Sequence, residues 1–171
     1  MCLNLGVIPM LNTQTRLLIG FFQQAIQVGE VETDPAKYLK KFQSEIKTTG
    51  RFFEYLGLAK AEKQSPLGWK PTAPLLDLIA NSKVRRSKPT TKSATRVDCL
   101  SLSLMLDTVL GRGPHTFCCY VLIRLGLIVE HVDGDWTASP LLLRLFADVY
   151  EMRRLSAAHD PDAVYEVVHT S

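Results

Sequence analysis

Residues 55–80, YLGLAKAEKQSPLGWKPTAPLLDLIA, and residues 124–149, RLGLIVEHVDGDWTASPLLLRLFADV, repeat one order of features. Each stretch contains the apolar end of a helix, Leu-Gly-Leu, a charged strand, a tight turn, a strand with a Trp, and a Leu-rich helix opened by Thr or Ser. Leu56-Gly57-Leu58 returns as Leu125-Gly126-Leu127, and Trp69 returns as Trp136. An internal repeat decides the architecture before any single element does. The sequence therefore predicts two copies of one helix–hairpin–helix unit.

The composition is that of an ordinary soluble globular protein of one or two small domains. Of the 171 residues, 46% are hydrophobic and 22% are charged,. The apolar N-terminus lacks the basic segment of a signal peptide, and no uncharged apolar run is long enough to span a membrane. The four cysteines lack the spacing of zinc ligands or of a disulfide framework,. We therefore expect a cytoplasmic protein with reduced thiols.

The formal net charge of +3 conceals a strong asymmetry along the chain. Residues 1–82 carry 9 basic and 7 acidic side chains, residues 83–96 carry 6 basic and none acidic, and residues 97–171 carry 5 basic and 10 acidic. The first two-thirds can attract a polyanion, and the last third repels one.

Capping residues and apolar spacing predict the elements of the first copy. Asn12 or Thr13 begins a helix that Gly29 ends, and Asp34 followed by Pro35 begins another. Residues 44–48 are predicted to form a turn with Ile46 as its apolar plug. The remaining predicted elements of this copy are helices 35–43, 49–56 and 73–82 and strands 58–64 and 68–71.

The second copy has one helix fewer before its hairpin. Asp98 is predicted to cap a helix over 99–110, and Asp133-Gly134 is typical of a hairpin turn. The other predicted elements are helices 115–125 and 140–158 and strands 128–132 and 135–137. The helix at 116–125 has Arg124 as its only charge, so it belongs in a core or an interface.

Three helices followed by a two-stranded hairpin resemble the winged helix-turn-helix. The resemblance rests on Leu56-Gly57-Leu58, the turn Ser65–Gly68, Trp69 and Thr72. It implies a mainly α fold with small β-hairpin wings, formed by two winged-helix-like units in tandem, the second degenerate. The implied division is 12–82 for the first unit, 83–97 for a basic linker, 98–158 for the second unit and 159–171 for a tail.

In a winged helix the third helix usually enters the major groove and the wing touches phosphate. The resemblance therefore implies a duplex-DNA surface on the first unit and the linker. The residues implied are Lys47, Thr48, Thr49, Arg51, Lys60, Lys63, Lys70, Lys83, Arg85, Arg86 and Lys88. Two alternatives remain open: these cations only keep the helices soluble, or the linker folds against the acidic second unit.

Catalytic chemistry has no support in the sequence. The histidines are scattered, and the HExxH, GxSxG and phosphate-loop motifs are absent,. We expect a non-enzymatic protein without cofactor or metal that binds DNA as a transcriptional regulator. The alternatives are a protein-interaction module resembling winged-helix subunits of chromosome-organising complexes, or a replication-initiator-like protein of a mobile element.

The predicted C-terminal helix has an apolar stripe at near-heptad spacing. It predicts a homodimer through Leu142, Leu145, Val149 and Met152. The alternative is that this helix covers the junction of the two units within one chain.

Overall fold

The structure of the chain, a computed structural model, describes residues 11–26, 32–82 and 93–159. These residues form a mainly α fold with two small antiparallel hairpins, which confirms the predicted fold class at that level. The helices are α1 (Thr13–Ala25), α2 (Pro35–Lys41), α3 (Gln43–Tyr55), α4 (Ala73–Ser82), α5 (Arg96–Leu110), α6 (Thr116–Arg124) and α7 (Pro140–His159). The strands are β1 (Ala59–Ala61), β2 (Trp69–Pro71), β3 (Ile128–Glu130) and β4 (Trp136–Ala138).

Local capping signals begin α1 and α2 where the sequence predicts them. The side chain of Asn12 accepts a hydrogen bond from the Thr15 N–H at 2.8 Å. Asp34 accepts one from the Ala36 N–H at 3.0 Å, and Pro35 stands at the first helical position, where its missing N–H costs nothing,. The predicted end of α1 at Gly29 lies outside the described residues.

The predicted turn at 44–48 is wrong, because α3 already begins at Gln43 and only Phe42 separates it from α2. The Thr48 hydroxyl donates to the Ser44 carbonyl at 3.0 Å, and the Thr49 hydroxyl donates to the Glu45 carbonyl at 2.8 Å. These side chains therefore bond within the helix instead of breaking it. Burial of one face of α3 in the core outweighs the weak helix propensity of this segment.

The second half differs from its prediction at the start of α5. Thr95, and not Asp98, is the cap: its hydroxyl accepts the Asp98 N–H at 3.2 Å. Arg96 and Val97 are helical, so the predicted linker 83–97 is too long at its C-terminal end. Residues 83–92 of that linker lie outside the described residues.

In both repeats the helix before the hairpin ends in a glycine cap of the same conformation. Gly57 has φ 76° and Gly126 has φ 77°, a left-handed conformation that glycine adopts without strain,. The next residue folds back in each case: the Leu58 N–H bonds to the Phe53 carbonyl at 2.8 Å, and Leu127 makes the equivalent bond at 2.9 Å. This pattern is the Schellman motif, whereas the sequence predicted only that Gly57 leaves its helix through a left-handed cap.

The two hairpins also close in the same way. Thr72 and Ser139 donate their N–H groups to the carbonyls of Leu58 and Leu127, both at 2.9 Å. Each Trp begins the second strand of its hairpin, opposite the last residue of the first strand. We call α3–β1–β2–α4 the first repeat and α6–β3–β4–α7 the second repeat.

Trp69 joins the first hairpin to α3. Its ring is 2% exposed, and its indole N–H donates to the Ile46 carbonyl at 3.2 Å. The ring packs edge-on against Phe22 and Phe53 and lies so close to Gly50 that a Cβ there would collide with it. Gly50 is therefore required by close approach, in the middle of a helix where glycine is otherwise unfavourable.

The two repeats share one continuous hydrophobic core. The equivalent helices α3 and α6 pack against each other, while α1 packs on α6 and α5 packs on α3. Phe117 of α6 contacts the rings of Phe22 and Phe42 at centroid distances of 5.9 and 5.7 Å. The prediction that α6 belongs in a core or an interface is confirmed for its buried residues Cys118, Cys119, Val121 and Leu122, and the two halves are not separate globules.

Candidate nucleic-acid interface

One stripe of α3 remains open to solvent. Lys47 and Arg51, one turn apart, are exposed,. The opposite side of the helix, including Ile46, Thr49 and Phe53, is at most 1% exposed and packs in the core. The helix thus presents two cations outward from a rigid, buried base.

The outer face of the first hairpin adds two more cations. Lys60 and Lys70 are directly opposite each other in the β1–β2 register, and both are exposed. Like charges in such a cross-strand pair repel each other. The Lys70 Nζ has one partner, the Glu62 carboxylate at 3.4 Å, which is the single ion pair among the described residues. In the described part of the chain Lys60 has no such partner, so an anion at this face would relieve the repulsion between the two lysines.

The loop between β1 and β2 connects the two groups of cations. A Cβ on Gly68 of this loop would be 4.0 Å from the Lys47 side chain, so α3 and the loop are neighbours. Lys63 is exposed on the same loop. Lys60 and Lys70 point to the hairpin face opposite Trp69, because side chains alternate along a strand,.

The prediction that Thr49 contacts DNA is wrong. It is 0% exposed, because α6 packs over it, and its hydroxyl is used within α3. Thr48 is half-buried, with its hydroxyl bonded to the Ser44 carbonyl. The linker residues predicted to bind DNA, Lys83, Arg85, Arg86 and Lys88, lie outside the described residues.

The second repeat carries no comparable cations. In its hairpin Val129 and Thr137 take the positions of Lys60 and Lys70, and the charged residues are Glu130, Asp133 and Asp135. Thr137, in the middle of β4, is 6% exposed, and α5 packs against this strand. In α6, Cys118, Cys119, Val121 and Leu122 are buried, and the exposed Tyr120 is uncharged. The two hairpins share a backbone plan but carry net charges of opposite sign.

The thiols of α6 belong to the core. Burial, followed by the neighbouring Cys119, raises the pKa of the Cys118 thiol, and a hydrogen bond with Thr49 partly offsets this. Burial raises the pKa of Cys119 to about 11. Both thiols are therefore protonated and unreactive at neutral pH. No group of three or more metal-binding side chains occurs in the described parts of the chain.

The prediction that Leu142 belongs to a dimer surface is wrong. It is 0% exposed, because α7 turns this residue into the shared core. Leu145 and Val149 are half-buried, and the Met152 side chain is outside the described set. Phe146 of α7 packs on Tyr55 of α3 with ring centroids 5.3 Å apart. Part of the apolar stripe therefore covers the junction of the two repeats.

The sequence reasoning overlooked an exposed apolar stripe on α5. Val97, Leu100 and Leu104 are 71%, 59% and 66% exposed. Their spacing places them on one face of the helix, so the signal was present in the sequence. Among the described helices, none combines the length and the apolar character needed to cross a membrane.

Comparison with protein-family models, with curated proteins and with solved structures finds no match for the chain.

Proposed function

We propose that this chain is a non-enzymatic, cytoplasmic DNA-binding protein of tandem winged-helix type, acting as a transcriptional regulator. The first repeat binds duplex DNA, with α3 at the major groove and the first hairpin as a wing on the phosphate backbone. The second repeat, whose equivalent surface is acidic or uncharged, supports the first one and does not contact DNA.

The observation that carries the proposal is the set of exposed cations on α3 and the adjoining hairpin. Lys47 and Arg51 have no ion pair within the described residues, and Lys60 is opposite Lys70. Such an arrangement costs repulsion in the free protein, and a polyanion removes that cost. Two of the five cations are on a helix and three on a hairpin beside it, which suits recognition by helix and wing together,.

The test is the affinity of the Lys47→Ala/Arg51→Ala variant for mixed-sequence duplex DNA, measured by fluorescence anisotropy over a range of salt concentrations. Each phosphate contact contributes about 0.9 to the slope of log affinity against log salt concentration. Loss of two phosphate contacts should therefore reduce the slope by about 2. A base contact by Arg51 would instead lower affinity for selected sequences at an unchanged slope.

Arg112→Ala/Arg144→Ala is the matched control. Both arginines are exposed and lie outside the first repeat, and replacing them removes the same total charge as the Lys47→Ala/Arg51→Ala variant. We expect the control to keep nearly the wild-type slope. If the two double variants weaken DNA binding equally, net charge and not the α3 surface governs binding. If wild type does not bind duplex DNA at low salt, the proposal is wrong.

A protein-binding module is the second candidate function. The observation in its favour is the exposed apolar stripe of Val97, Leu100 and Leu104 on α5, because contiguous apolar residues left in water typically mark an interaction surface,. On this alternative, Leu100→Glu/Leu104→Glu would abolish partner binding without lowering stability. If that variant binds DNA as well as wild type does, the apolar stripe of α5 and the cationic surface of the first repeat act independently.

A further inference from the structure

A cavity lies between the two equivalent helices, α3 and α6. Its volume is about 510 Å³, within the range of roughly 300–1,000 Å³ typical of small-molecule sites,. Ile26, Phe42 and Phe117 supply apolar walls, and the Phe42 and Phe117 rings are 5.7 Å apart at an interplanar angle of 36°. The two rings contact each other and form one aromatic wall, against which the ring of a ligand can pack in an offset or edge-to-face arrangement,.

The polar lining favours a negative charge on that ligand. Arg51 lines the cavity and has no ion pair within the described residues. His115 also lines it, with Nε2 2.7 Å from the Gly111 carbonyl. Because a carbonyl can only accept, Nε2 carries the proton, so Nδ1 of the neutral ring is an acceptor and the donor to an anion in this lining is Arg51,. No side chain caps the start of α6 at this wall, so its first N–H groups add positive potential,.

Glu45 is the one acidic side chain in the lining. Burial, and then the carboxylate of Glu45, raises the pKa of the Tyr38 hydroxyl to about 12. Glu45 is in the first turn of α3, where the helix dipole favours a negative charge,. Its charge is thus partly compensated by its own helix, while Arg51 has no ion pair within the described residues.

We propose that the α3–α6 cavity binds a small aromatic monocarboxylate, with its ring against the wall formed by Phe42 and Phe117 and its carboxylate on Arg51. The effect of this ligand on DNA binding rests on the proposed function. Arg51 belongs both to the cavity and to the open stripe of α3, so one guanidinium serves two anions. Occupancy of the cavity therefore competes with DNA for Arg51 and lowers DNA affinity.

Three probes with one ring system test the charge preference: indoleacetate, indoleacetamide and tryptamine. Saturation-transfer NMR detects binding to the full chain, and calorimetric titration gives the affinity. A charge-assisted hydrogen bond is about twice as strong as a neutral one. We expect indoleacetate to bind at least about tenfold more tightly than the amide, and tryptamine to bind most weakly.

Arg51→Gln and Lys47→Gln are the matched pair of variants. Both remove one exposed cation of α3, and only Arg51 lines the cavity. Arg51→Gln should reduce indoleacetate affinity to the level of the amide, while Lys47→Gln should leave it unchanged. Circular dichroism of each variant verifies that the fold is intact.

Ligand binding is measured without DNA, so it stands or fails independently of the proposed function. Equal affinity for acid and amide, preference for tryptamine, absence of binding by all three probes, or equal losses in the two variants would overturn the carboxylate site. The regulatory part has its own readout: saturating indoleacetate should weaken wild-type DNA binding by about the factor lost in Arg51→Gln. An unchanged DNA affinity would overturn the competition.

Discussion

Gly50→Ala should destabilise the protein, although alanine is the better helix former. Replacing glycine with alanine within a helix stabilises it by about 0.8–1 kcal/mol. At Gly50 the new methyl group would collide with the Trp69 ring, which is fixed between Phe22 and Phe53. Overpacking of a dense core costs about 1–3 kcal/mol. Displacing Trp69 also leaves its buried N–H without the Ile46 carbonyl, which costs about another 1–3 kcal/mol,. The net loss should be about 1–5 kcal/mol.

Gly20→Ala is the matched control for this prediction. Gly20 is also inside a helix, but it is exposed, and a Cβ there would meet nothing within 4 Å. This variant should gain about 0.5–1 kcal/mol. Urea unfolding followed by circular dichroism measures both free energies of unfolding.

A double-mutant cycle with Trp69→Phe identifies the cause. The smaller ring makes room for the methyl group, so the two losses should be less than additive, with a coupling of about 0.5–3 kcal/mol. Strict additivity, or a Gly50→Ala variant as stabilised as Gly20→Ala, would refute the close approach of Trp69 to α3.

Two further predictions concern Tyr38 and α7. The Tyr38 hydroxyl is buried and has no hydrogen-bond partner in the described part of the protein, so Tyr38→Phe should be neutral or stabilising at neutral pH. Folding raises the pKa of Tyr38 from 10.0 to about 12. The contribution of Tyr38 to the free energy of unfolding is therefore fully present below pH 10 and is lost as the pH rises toward 12,. The stability difference between wild type and Tyr38→Phe, measured by urea unfolding at each pH, should therefore change over that interval and be constant below it. For α7, Leu145→Glu/Val149→Glu should convert a wild-type dimer to a folded monomer in light scattering; a monomeric wild type contradicts the dimer, and an unfolded variant assigns both residues to the core.

The elements that the sequence predicted correctly are those set by local chemistry. Asn12, Asp34 with Pro35, and Gly57 each satisfy or release backbone groups within a few residues, so the signal and its consequence lie in the same short segment. The glycine caps also made the repeat visible, because both hairpins depend on Gly57 and Gly126.

The errors arose where distant contacts override local preference. Ser44 and Thr48 are typical of a turn, yet core packing of Ile46 and Phe53 keeps them in α3. Thr49 looked available to DNA because nothing in α3 itself indicates that α6 lies over it. Within the described residues, the lysines and Arg51 of the predicted DNA surface are exposed, as expected. Thr49 is buried by a contact between the two halves, which its local sequence does not reveal.

The shared core means that neither half is complete without the other. If the backbone were cut within residues 83–92, α1 would lose its packing against α6, and α3 would lose its packing against α5. Each fragment would expose one side of a matched apolar surface, including Phe22 on one piece and Phe117 on the other. The two pieces would therefore behave as a split protein, each requiring its complement for solubility, and their reassociation could report on whether two tethered molecules meet.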